Sequence, residues 1–420
     1  MAKQNFQTHK GMVDILPDEV SAWQKLEQII RETAKQYNFE EIRTPILEQT
    51  ELIARGVGQL TDIVSKEMFA FERGDDQYVL RPELTAPVAR SYIQHHLDQR
   101  GGTQNLFYIG PMFRAEQPQK GRQRQFHQFG AELLGSDDPV ADVEIIRFLL
   151  TIIHKVGIKN TSLKINSVGD PESRMDYKEA LQTYFGKHLE QLSEVSRNRL
   201  ETNPMRILDS KEEEDQALIQ DAPLITDYLN DECHAHFENV LTLLNELEIS
   251  YEQDPYLVRG LDYYTRTAFE LTSPDLGAQD ALGGGGRYDL LIEELGGQST
   301  PAVGFAAGME RILLACEALN IDLDNSNELD LYIVSLGEKA RSWALKHLQT
   351  FRNEGLICMM DYAGRSMKAQ MKDANRNNAR FSLIVGDHEL NSGKFTLRNM
   401  KESAEEKVKF DKILDQIKTG

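Results

Sequence analysis

Cysteine is scarce in this 420-residue sequence: Cys233, Cys316 and Cys358 are the three present, and they lie far apart. Such spacing argues against a disulfide framework and fits a reducing compartment. No apolar run approaches the roughly 18–20 residues that cross a bilayer, and the opening Met-Ala-Lys-Gln-Asn-Phe lacks the apolar core of a secretory signal. The sequence therefore predicts a cytoplasmic protein with no membrane partner.

Basic residues are also few, with 47 Lys and Arg against 67 Asp and Glu and a net charge of −20. This balance restricts where a nucleic acid could bind without excluding one, because local patches decide where phosphates dock. Between residues 114 and 124 a single acid, Glu116, accompanies Arg114, Lys120, Arg122 and Arg124. Between residues 364 and 381 a single acid, Asp373, accompanies Arg365, Lys368, Lys372, Arg376 and Arg380.

The length exceeds one ordinary hydrophobic core and predicts two or three domains. Residues 170–250 are polar, helix-prone and poor in glycine, which indicates an inserted helical module. The polar stretch 320–328 reads as a linker. Beyond it, three apolar segments near residues 331–335, 356–360 and 381–386 alternate with helical stretches, which predicts a small α/β domain.

Local patterns predict several elements of the remaining chain. Helices are expected from Leu16 to Tyr37, from Asp137 to Val156 and from Val303 to Leu319. A short strand is expected to end at Pro45, and residues 75–135 are strand-like.

Residues 257–264, Leu-Val-Arg-Gly-Leu-Asp-Tyr-Tyr, form an octet in an apolar context that predicts a buried strand. A buried arginine is costly unless an anion meets it, so Arg259 requires a ligand or a carboxylate partner such as Asp262. Strand alternation would place Tyr263 on the face of Arg259 and Tyr264 on the other, and we expect the strand to end or bend after Asp262.

Polar side chains share faces on neighbouring predicted strands, by the alternation of strand residues. These sets are Phe126, Gln128, Gly130 and Glu132; Tyr108, Gly110, Met112 and Arg114; and Glu83 with Thr85. Each set alone could be a half-exposed polar face. Together they favour a floor for a small polar ligand.

These motifs resemble those of the histidyl-tRNA synthetases, a class II aminoacyl-tRNA synthetase family, in their bacterial form. Residues 113–116, Phe-Arg-Ala-Glu, with the basic loop and residues 126–132, are similar to motif 2. Residues 304–311, Gly-Phe-Ala-Ala-Gly-Met-Glu-Arg, resemble motif 3, the segment around Pro45 resembles the dimer-interface motif 1, and the octet resembles the family's histidine signature. The resemblance spans nearly the whole chain.

The resemblance implies an α+β catalytic domain with a mixed, mainly antiparallel sheet over residues 1–169 and 251–322. It further implies a helical insertion at 170–250 and a C-terminal α/β anticodon-binding domain at 328–420. The implied reaction activates L-histidine with ATP to histidyl-adenylate and transfers it to tRNA(His), releasing AMP and pyrophosphate, in a homodimer.

The resemblance also implies residue roles. Arg114 binds the α-phosphate, Arg311 binds the γ-phosphate and Arg259 adds positive charge where histidine and ATP react. The implied ATP site comprises Arg114, Glu116, Phe126 and Arg311. The implied histidine site comprises Glu83, Thr85, Gln128, Glu132, Arg259, Tyr263 and Tyr264, with Glu83, Thr85 and Gln128 on the α-amino group and Glu132 and Tyr264 on the imidazole. Candidate tRNA contacts are Lys120, Arg122, Arg124, Arg365, Lys368, Lys372 and Arg376.

Magnesium is expected to accompany ATP as part of the substrate, without a tightly bound cofactor. A polar pocket rejects analogues strongly, so no editing domain is expected and the insertion is interpreted as a clamp on tRNA. Ala115, Gln117 and Gln123 depart from the family pattern, which leaves acceptor-end contacts open.

Other motifs carry little chemistry. The four glycines 283–286 match no nucleotide-binding fingerprint and are interpreted as a strand passing close under a ligand. The run Cys-His-Ala-His at 233–236 lacks a second cluster, so no zinc is expected. Two alternatives remain: a non-catalytic, synthetase-like regulatory subunit of histidine biosynthesis, and a class II synthetase for another amino acid.

Overall fold

The computed structural model describes residues 6–59, 61–119, 121–323 and 329–419, with backbone alone at 278 and 279. They form two compact units that divide between Asp324 and Asn325. Strands of the first unit are β1 (Glu40–Glu41), β2 (Leu47–Gln49), β3 (Phe69–Arg73), β4 (Asp76–Leu80), β5 (Gln104–Phe113), β6 (Gln125–Leu134), β7 (Ser162–Ser167), β8 (Glu252–Gln253), β9 (Thr265–Thr272), β10 (Ala281–Arg287) and β11 (Ala302–Gly308). Its helices are α1 (Pro17–Gln36), α2 (Thr50–Val57), α3 (Thr85–Gln94), α4 (Pro139–Val156), α5 (Pro171–Gly186), α6 (Glu194–Thr202), α7 (Glu213–Ile219), α8 (Asp231–Glu246), α9 (Leu291–Glu294) and α10 (Met309–Ala318).

The main sheet of the first unit has the order β1-β5-β6-β11-β10-β9-β7-β8 over the described residues. Its inner pairs are antiparallel, whereas β1 and β8 add parallel pairs at the edges. The predicted mixed, mainly antiparallel sheet is confirmed. A smaller antiparallel sheet has the order β2-β4-β3.

Strand alternation gives the main sheet two different faces. One face carries Phe129, Phe269 and Phe305 and is covered by α1, α4, α8 and α10, with Leu26 and Ile152 among the buried residues. On the opposite face, Leu106, Met112 and Leu134 pack with residues of α3 and α9. The polar side chains that share this face leave part of it available for a site.

The helical segment (residues 170–250) holds α5 to α8 and three short 3-10 turns. A core of its own runs from Tyr177 to Ile225, whereas Phe237 and Leu244 of α8 pack into the main core. Treating the whole segment as a separate domain therefore stays a proposal.

A buried ion pair joins α4 to β10. The Arg287 guanidinium, with no exposed side-chain surface, contacts Asp142 Oδ2 at 2.6 and 2.9 Å. It also donates to the carbonyls of Ser136 and Asp138 and to Asp289. Because every donor has an acceptor, the buried charge is compensated.

The second unit is an α/β layer. Its strands are β12 (Leu329–Ser335), β13 (Cys358–Met360), β14 (Ala379–Val385), β15 (Lys394–Asn399) and β16 (Glu405–Lys409), and its helices are α11 (Glu338–Asn353), α12 (Met367–Arg376), α13 (Asp387–Ser392) and α14 (Phe410–Thr419). The three predicted strands are confirmed as the parallel set β13-β12-β14. The antiparallel β15 and β16 were not predicted.

Outside residues 257–264, two element predictions are wrong. Residues 302–308 form strand β11, so the apolar helix expected from Val303 begins only at Met309. The strand-like region 75–135 contains helix α3, whose apolar residues pack beneath the sheet. The expected helices beginning near Leu16 and Asp137 are confirmed as α1 and α4.

Candidate active site

A cavity of about 500 Å³ lies on the polar face of the main sheet. Its walls come from β6, β9, β10 and β11, from the start of α3, and from the loops around residues 114–123 and 258–264. Among its lining residues are the predicted Glu83, Thr85, Arg114, Glu116, Arg122, Phe126, Gln128, Arg259, Tyr263, Tyr264 and Arg311. The structure therefore brings together residues from three separate sequence segments, 83–128, 259–264 and the region of Arg311.

Glu83 lies two residues before Thr85, the first residue of α3, and its side chain caps the helix. Its carboxylate oxygens accept hydrogen bonds from the backbone N–H groups of Thr85, at 2.6 Å, and Ala86, at 3.0 Å. Burial raises the pKa of Glu83, and these two amides partly oppose the rise. The expected strand parity of Glu83 and Thr85 is wrong, because Thr85 begins a helix; the helix start holds both residues at the cavity instead.

Glu132 is fully buried on β6 beneath the cavity. Its carboxylate accepts hydrogen bonds from Thr85 Oγ1 at 2.9 Å, Tyr108 OH at 3.2 Å and Tyr288 OH at 2.5 Å. Burial raises the pKa of Glu132 to about 8 even though the hydroxyls of Tyr288 and Thr85 lower it. Glu132 itself is not among the cavity-lining residues, but all three of its partners are.

Tyr108 and Tyr288 were missed by the sequence reasoning as site residues. Tyr108 was placed on the correct face of β5 without a role, and Tyr288 directly follows the last residue of β10, Arg287. Both are buried, and burial raises the pKa of each phenol well above its ordinary value. Both therefore act as neutral hydrogen-bond donors to Glu132.

The octet is a loop, and the predicted strand is wrong. Strand β9 begins only at Thr265, and the octet chain turns at residues 260–263. Arg259 Nη1 contacts Glu270 Oε2 at 2.7 Å, and its guanidinium carbon lies 5.9 Å from the centre of the Tyr264 ring. Burial lowers the pKa of Arg259, but Tyr264 and Glu270 raise it overall, so the guanidinium stays charged. The carboxylate partner is thus Glu270 rather than Asp262.

Arg114 and Arg311 have no ion-pair partner within the part of the chain that the structure describes. Arg114 Nε donates to the Pro82 carbonyl at 3.0 Å, and its guanidinium lies 5.2 Å from the centre of the Phe126 ring. Arg311 Nη1 donates to the Ala281 carbonyl at 3.0 Å. Burial lowers the pKa of both groups. Two desolvated cations in one cavity favour an anionic ligand.

Further polar atoms in the cavity lack partners. Gln128 Oε1 and Arg259 Nε are buried and make no hydrogen bond to any described residue. Buried polar groups of folded proteins are almost always paired. An unpaired acceptor and an unpaired donor on residues that line one cavity favour a ligand that carries both kinds of group.

The glycines of β10 and β11 make room for side chains of the protein itself. A Cβ on Gly284 would lie 2.8 Å from both terminal nitrogens of Arg259, and one on Gly304 would overlap the Glu132 carboxylate. Gly283 and Gly284 also line the cavity, and the close approach of a ligand stays a prediction. The glycines therefore leave space for charged side chains above the sheet.

The basic loop after Arg114 is partly paired within itself. Arg122 contacts Glu116 at 3.4 Å, and Arg124 Nε donates to the Glu116 carbonyl at 3.2 Å. Arg124 does not line the cavity, and Lys120 lies outside the described residues.

The second basic cluster lies on and before α12. Arg365 precedes the helix, whose N-cap is Ser366, and contacts Asp361 at 2.5 Å and Asp373 at 2.7 Å. Arg376 also pairs with Asp373. Lys368 and Lys372 are exposed and have no ion-pair partner among the described residues. Of these four candidate tRNA contacts, two are lysines without ion pairs in the described chain and two are arginines engaged by acids.

The Cys-His-Ala-His run at 233–236 lies on α8. Cys233 is buried, and His236 Nε2 lies 3.4 Å from Asp142 Oδ1. Within the described ranges, no cluster of three His, Cys, Asp or Glu side chains has metal-binding geometry. No helix in these ranges is long and apolar enough to span a bilayer.

The cavity combines buried carboxylates, hydroxyl donors and arginines. Carboxylates suit an ammonium group or an N–H donor, and arginines suit carboxylate and phosphate oxygens. The arrangement fits a zwitterionic small molecule beside a polyphosphate.

Comparison with known proteins identifies the family. Residues 11–312 match the family model described as histidyl-tRNA synthetase, and residues 330–420 match the model described as anticodon binding domain. The histidine–tRNA ligase of Natranaerobius thermophilus is 49% identical over 97% of this chain and 98% of that protein. The histidine–tRNA ligase of Listeria monocytogenes is 46% identical over 98% of both.

Solved structures agree with the sequence comparison. The apo histidyl-tRNA synthetase of S. aureus superposes with a TM-score of 0.83 at 40% identity, covering 99% of this chain and all of that one. A Bacillus halodurans structure described as an ATP phosphoribosyltransferase regulatory subunit/histidyl-tRNA synthetase gives 0.66 at 25% identity, covering 91% and 99% of the two chains. The chain belongs to the histidyl-tRNA synthetase family.

Proposed function

We propose that this protein activates L-histidine with ATP and transfers the histidyl group to tRNA(His), with release of AMP and pyrophosphate. The observation that carries the proposal is the cavity in which buried carboxylates and unpaired arginines converge. Full-length similarity to histidine–tRNA ligases supports it.

The first step joins two anions. A carboxylate oxygen of histidine attacks the α-phosphorus of ATP, the C–O–P bond forms, and the bond to the β-phosphate breaks as pyrophosphate leaves. Charge spreads over the phosphate oxygens in the transition state, so catalysis relies on positioning and cationic stabilisation. Arginine suits this task because its planar fork stays charged and binds oxygens bidentately.

The arginines of the cavity divide this work. Arg114 binds the α-phosphate and Arg311 the γ-phosphate, which agrees with their lack of protein ion-pair partners in the described chain. Arg259 faces the reacting carboxylate and α-phosphate through the buried, unpaired Nε. Phe126 and Glu116 complete the nucleotide site, and Mg²⁺ enters with ATP.

The acidic part of the cavity binds histidine. Glu83, Thr85 and Gln128 hold the α-ammonium group, and the unpaired Gln128 Oε1 supplies a free acceptor. Glu132 and Tyr264 recognise the imidazole, with Tyr263 packed against Tyr264 at a ring-centre distance of 4.7 Å. Each Glu83 oxygen accepts one amide hydrogen bond and retains a lone pair for the ligand.

The remaining partners follow from the same assignment. The second unit, which matches an anticodon-binding family, binds the tRNA. The basic loop around Arg122 and Arg124 contacts the acceptor end. The protein acts as a homodimer in the cytoplasm.

ATP–pyrophosphate exchange with each of the twenty amino acids tests the proposal. We expect exchange that depends on L-histidine, followed by charging of tRNA(His) when the tRNA is added. Exchange driven by another amino acid would favour a different synthetase. No exchange with any amino acid would favour a regulatory subunit, a reading that no feature of the cavity supports.

A further inference from the structure

We infer that Arg206 is a positioning residue for Arg259, through which the helical segment sets the placement of the octet loop. The inference rests on the proposed function. It assigns a role in that function to a residue of the helical segment. Arg206 lies in a short 3-10 turn, Pro204–Ile207, between α6 and α7.

Arg206 touches two other pieces of the chain. Its Nη2 lies 3.1 Å from Asp62 Oδ2, in the loop that follows α2. Its Nη1 lies 3.5 Å from the carbonyl oxygen of Arg259. The same nitrogen packs against Gly260, where a Cβ would lie 3.2 Å away. One side chain, only 15% exposed, therefore joins the helical segment, the Asp62 loop and the octet.

The octet depends on such contacts because it is a loop without a strand ladder of its own. Arg174 of α5 donates to the carbonyls of Tyr264, at 2.9 Å, and Asp262, at 3.4 Å. Asn203 Nδ2 donates to Asp262 Oδ1 at 3.3 Å. The helical segment thus holds the C-terminal end of the octet, and Arg206 is its contact at Arg259 itself.

The charges at this junction also fit a positioning role. Asp62 additionally faces Arg199, at 3.5 Å, and Lys66, at 3.6 Å, so the carboxylate holds a cluster of cations. Arg206 and Arg259 both line the main cavity and a neighbouring cavity of about 170 Å³. Removal of Arg206 would leave the Arg259 backbone facing an enlarged space, so the guanidinium would be held by Glu270 and Tyr264 without a fixed backbone behind it.

A double-mutant cycle on the full-length protein tests this inference. The rate of histidyl-adenylate formation is measured in a single turnover for wild type, Arg206→Ala, Arg259→Ala and the double variant. We expect Arg206→Ala alone to slow the step about 10-fold, as for the loss of one charge-assisted contact. In the Arg259→Ala background the same change should slow it less than about 2-fold, because Arg206 acts through Arg259.

Controls separate positioning from general damage. Arg197→Ala removes an arginine of the same segment that bonds only the Leu192 and Glu190 carbonyls in the described chain, and we expect its rate to match wild type. Arg206→Lys keeps the charge facing Asp62 but has one nitrogen in place of the fork, so we expect a rate between those of Arg206→Ala and wild type.

Equal slowing by Arg206→Ala in both backgrounds would overturn the inference. If Arg206→Ala does not fold, Asp62→Asn takes its place in the cycle with the same expectation. Absence of histidine-dependent adenylate in the wild type would instead overturn the proposed function, so the two failures are distinct.

Discussion

Tyr288 reaches Glu132 across an intervening strand. Glu132 lies on β6 and Tyr288 follows β10, and β11 runs between these two strands. Gly304 of β11 is the residue that pairs with Glu132. Because Gly304 has no side chain, the Tyr288 hydroxyl donates to the carboxylate at 2.5 Å. This contact fixes the acid that is proposed to recognise the imidazole.

Tyr288→Phe should weaken histidine binding. The substitution removes one donor to a buried carboxylate, an interaction worth about 1.5–3 kcal/mol, so we expect the KM for histidine to rise roughly 10- to 100-fold. The KM for ATP should change little. Steady-state pyrophosphate exchange measures both, and Tyr37→Phe, which loses a bond to Thr151 on the opposite face, serves as the matched control. An unchanged KM for histidine would show that Tyr288 does not contribute to histidine binding.

The pH dependence of kcat/KM for histidine should report Glu132. Burial raises the pKa of Glu132 to about 8, and the ionised carboxylate is the form that accepts an imidazole N–H. Since kcat/KM follows ionisations of the free enzyme, we expect it to fall as the pH decreases below about 8. Glu132→Gln should lower the maximum value of kcat/KM and abolish its decrease at low pH. If kcat/KM of the Gln variant still decreased at low pH, the decrease would belong to another group, such as the amino group of free histidine.

Asp142→Asn should destabilise the first unit. It leaves the fully buried Arg287 without its main counter-charge, a loss of about 3–5 kcal/mol in the free energy of unfolding. Burial raises the pKa of Asp142, but Arg287 lowers it below 3.8 overall. The stabilisation is therefore present above about pH 4 and is lost as the pH falls through the lower, folded-state pKa.

Urea unfolding measures this effect. Glu27→Gln removes an exposed helical ion pair with Arg31 and should cost less than about 1 kcal/mol. Equal effects of the two substitutions would contradict the structural role of the buried pair.

Lys368 and Lys372 should each contribute to tRNA binding through phosphates. Replacing either lysine with alanine should reduce the slope of log affinity against log salt by about one unit. Arg365→Ala should instead lower the melting temperature of the second unit, because Arg365 is engaged by Asp361 and Asp373. Filter binding at several salt concentrations and thermal unfolding distinguish the two. A salt slope that changes only with Arg365→Ala would reverse the assignment.

Periodic apolar patterns predicted the scaffold well. Pro17 with acidic neighbours marked the start of α1, and the segment that begins at Asp137 does form α4, which Asp138 caps. The helical character of residues 170–250 and the parallel strands of the second unit were also predictable. These features depend on local chemistry, which a sequence displays directly.

Predictions failed where tertiary contacts decide the local structure. The apolar octet satisfies a strand pattern, yet its groups are held by Arg174, Arg206 and Asn166 from distant segments. Residues 303–308 satisfy a helical pattern, but they pair with β6 and β10. Tyr288 was missed because its contact with Glu132 crosses 156 positions, a distance that no local pattern reports.

The central claim is that Arg259 supplies positive charge to the reacting groups. Its most direct test is the single-turnover rate of histidyl-adenylate formation by Arg259→Ala with histidine and ATP saturating. We predict that the rate decreases at least ~10²-fold, the effect of removing one charge-stabilising donor. Circular dichroism should show that the variant retains the folded structure. A folded variant that forms the adenylate at the wild-type rate would show that Arg259 is structural and would contradict the account.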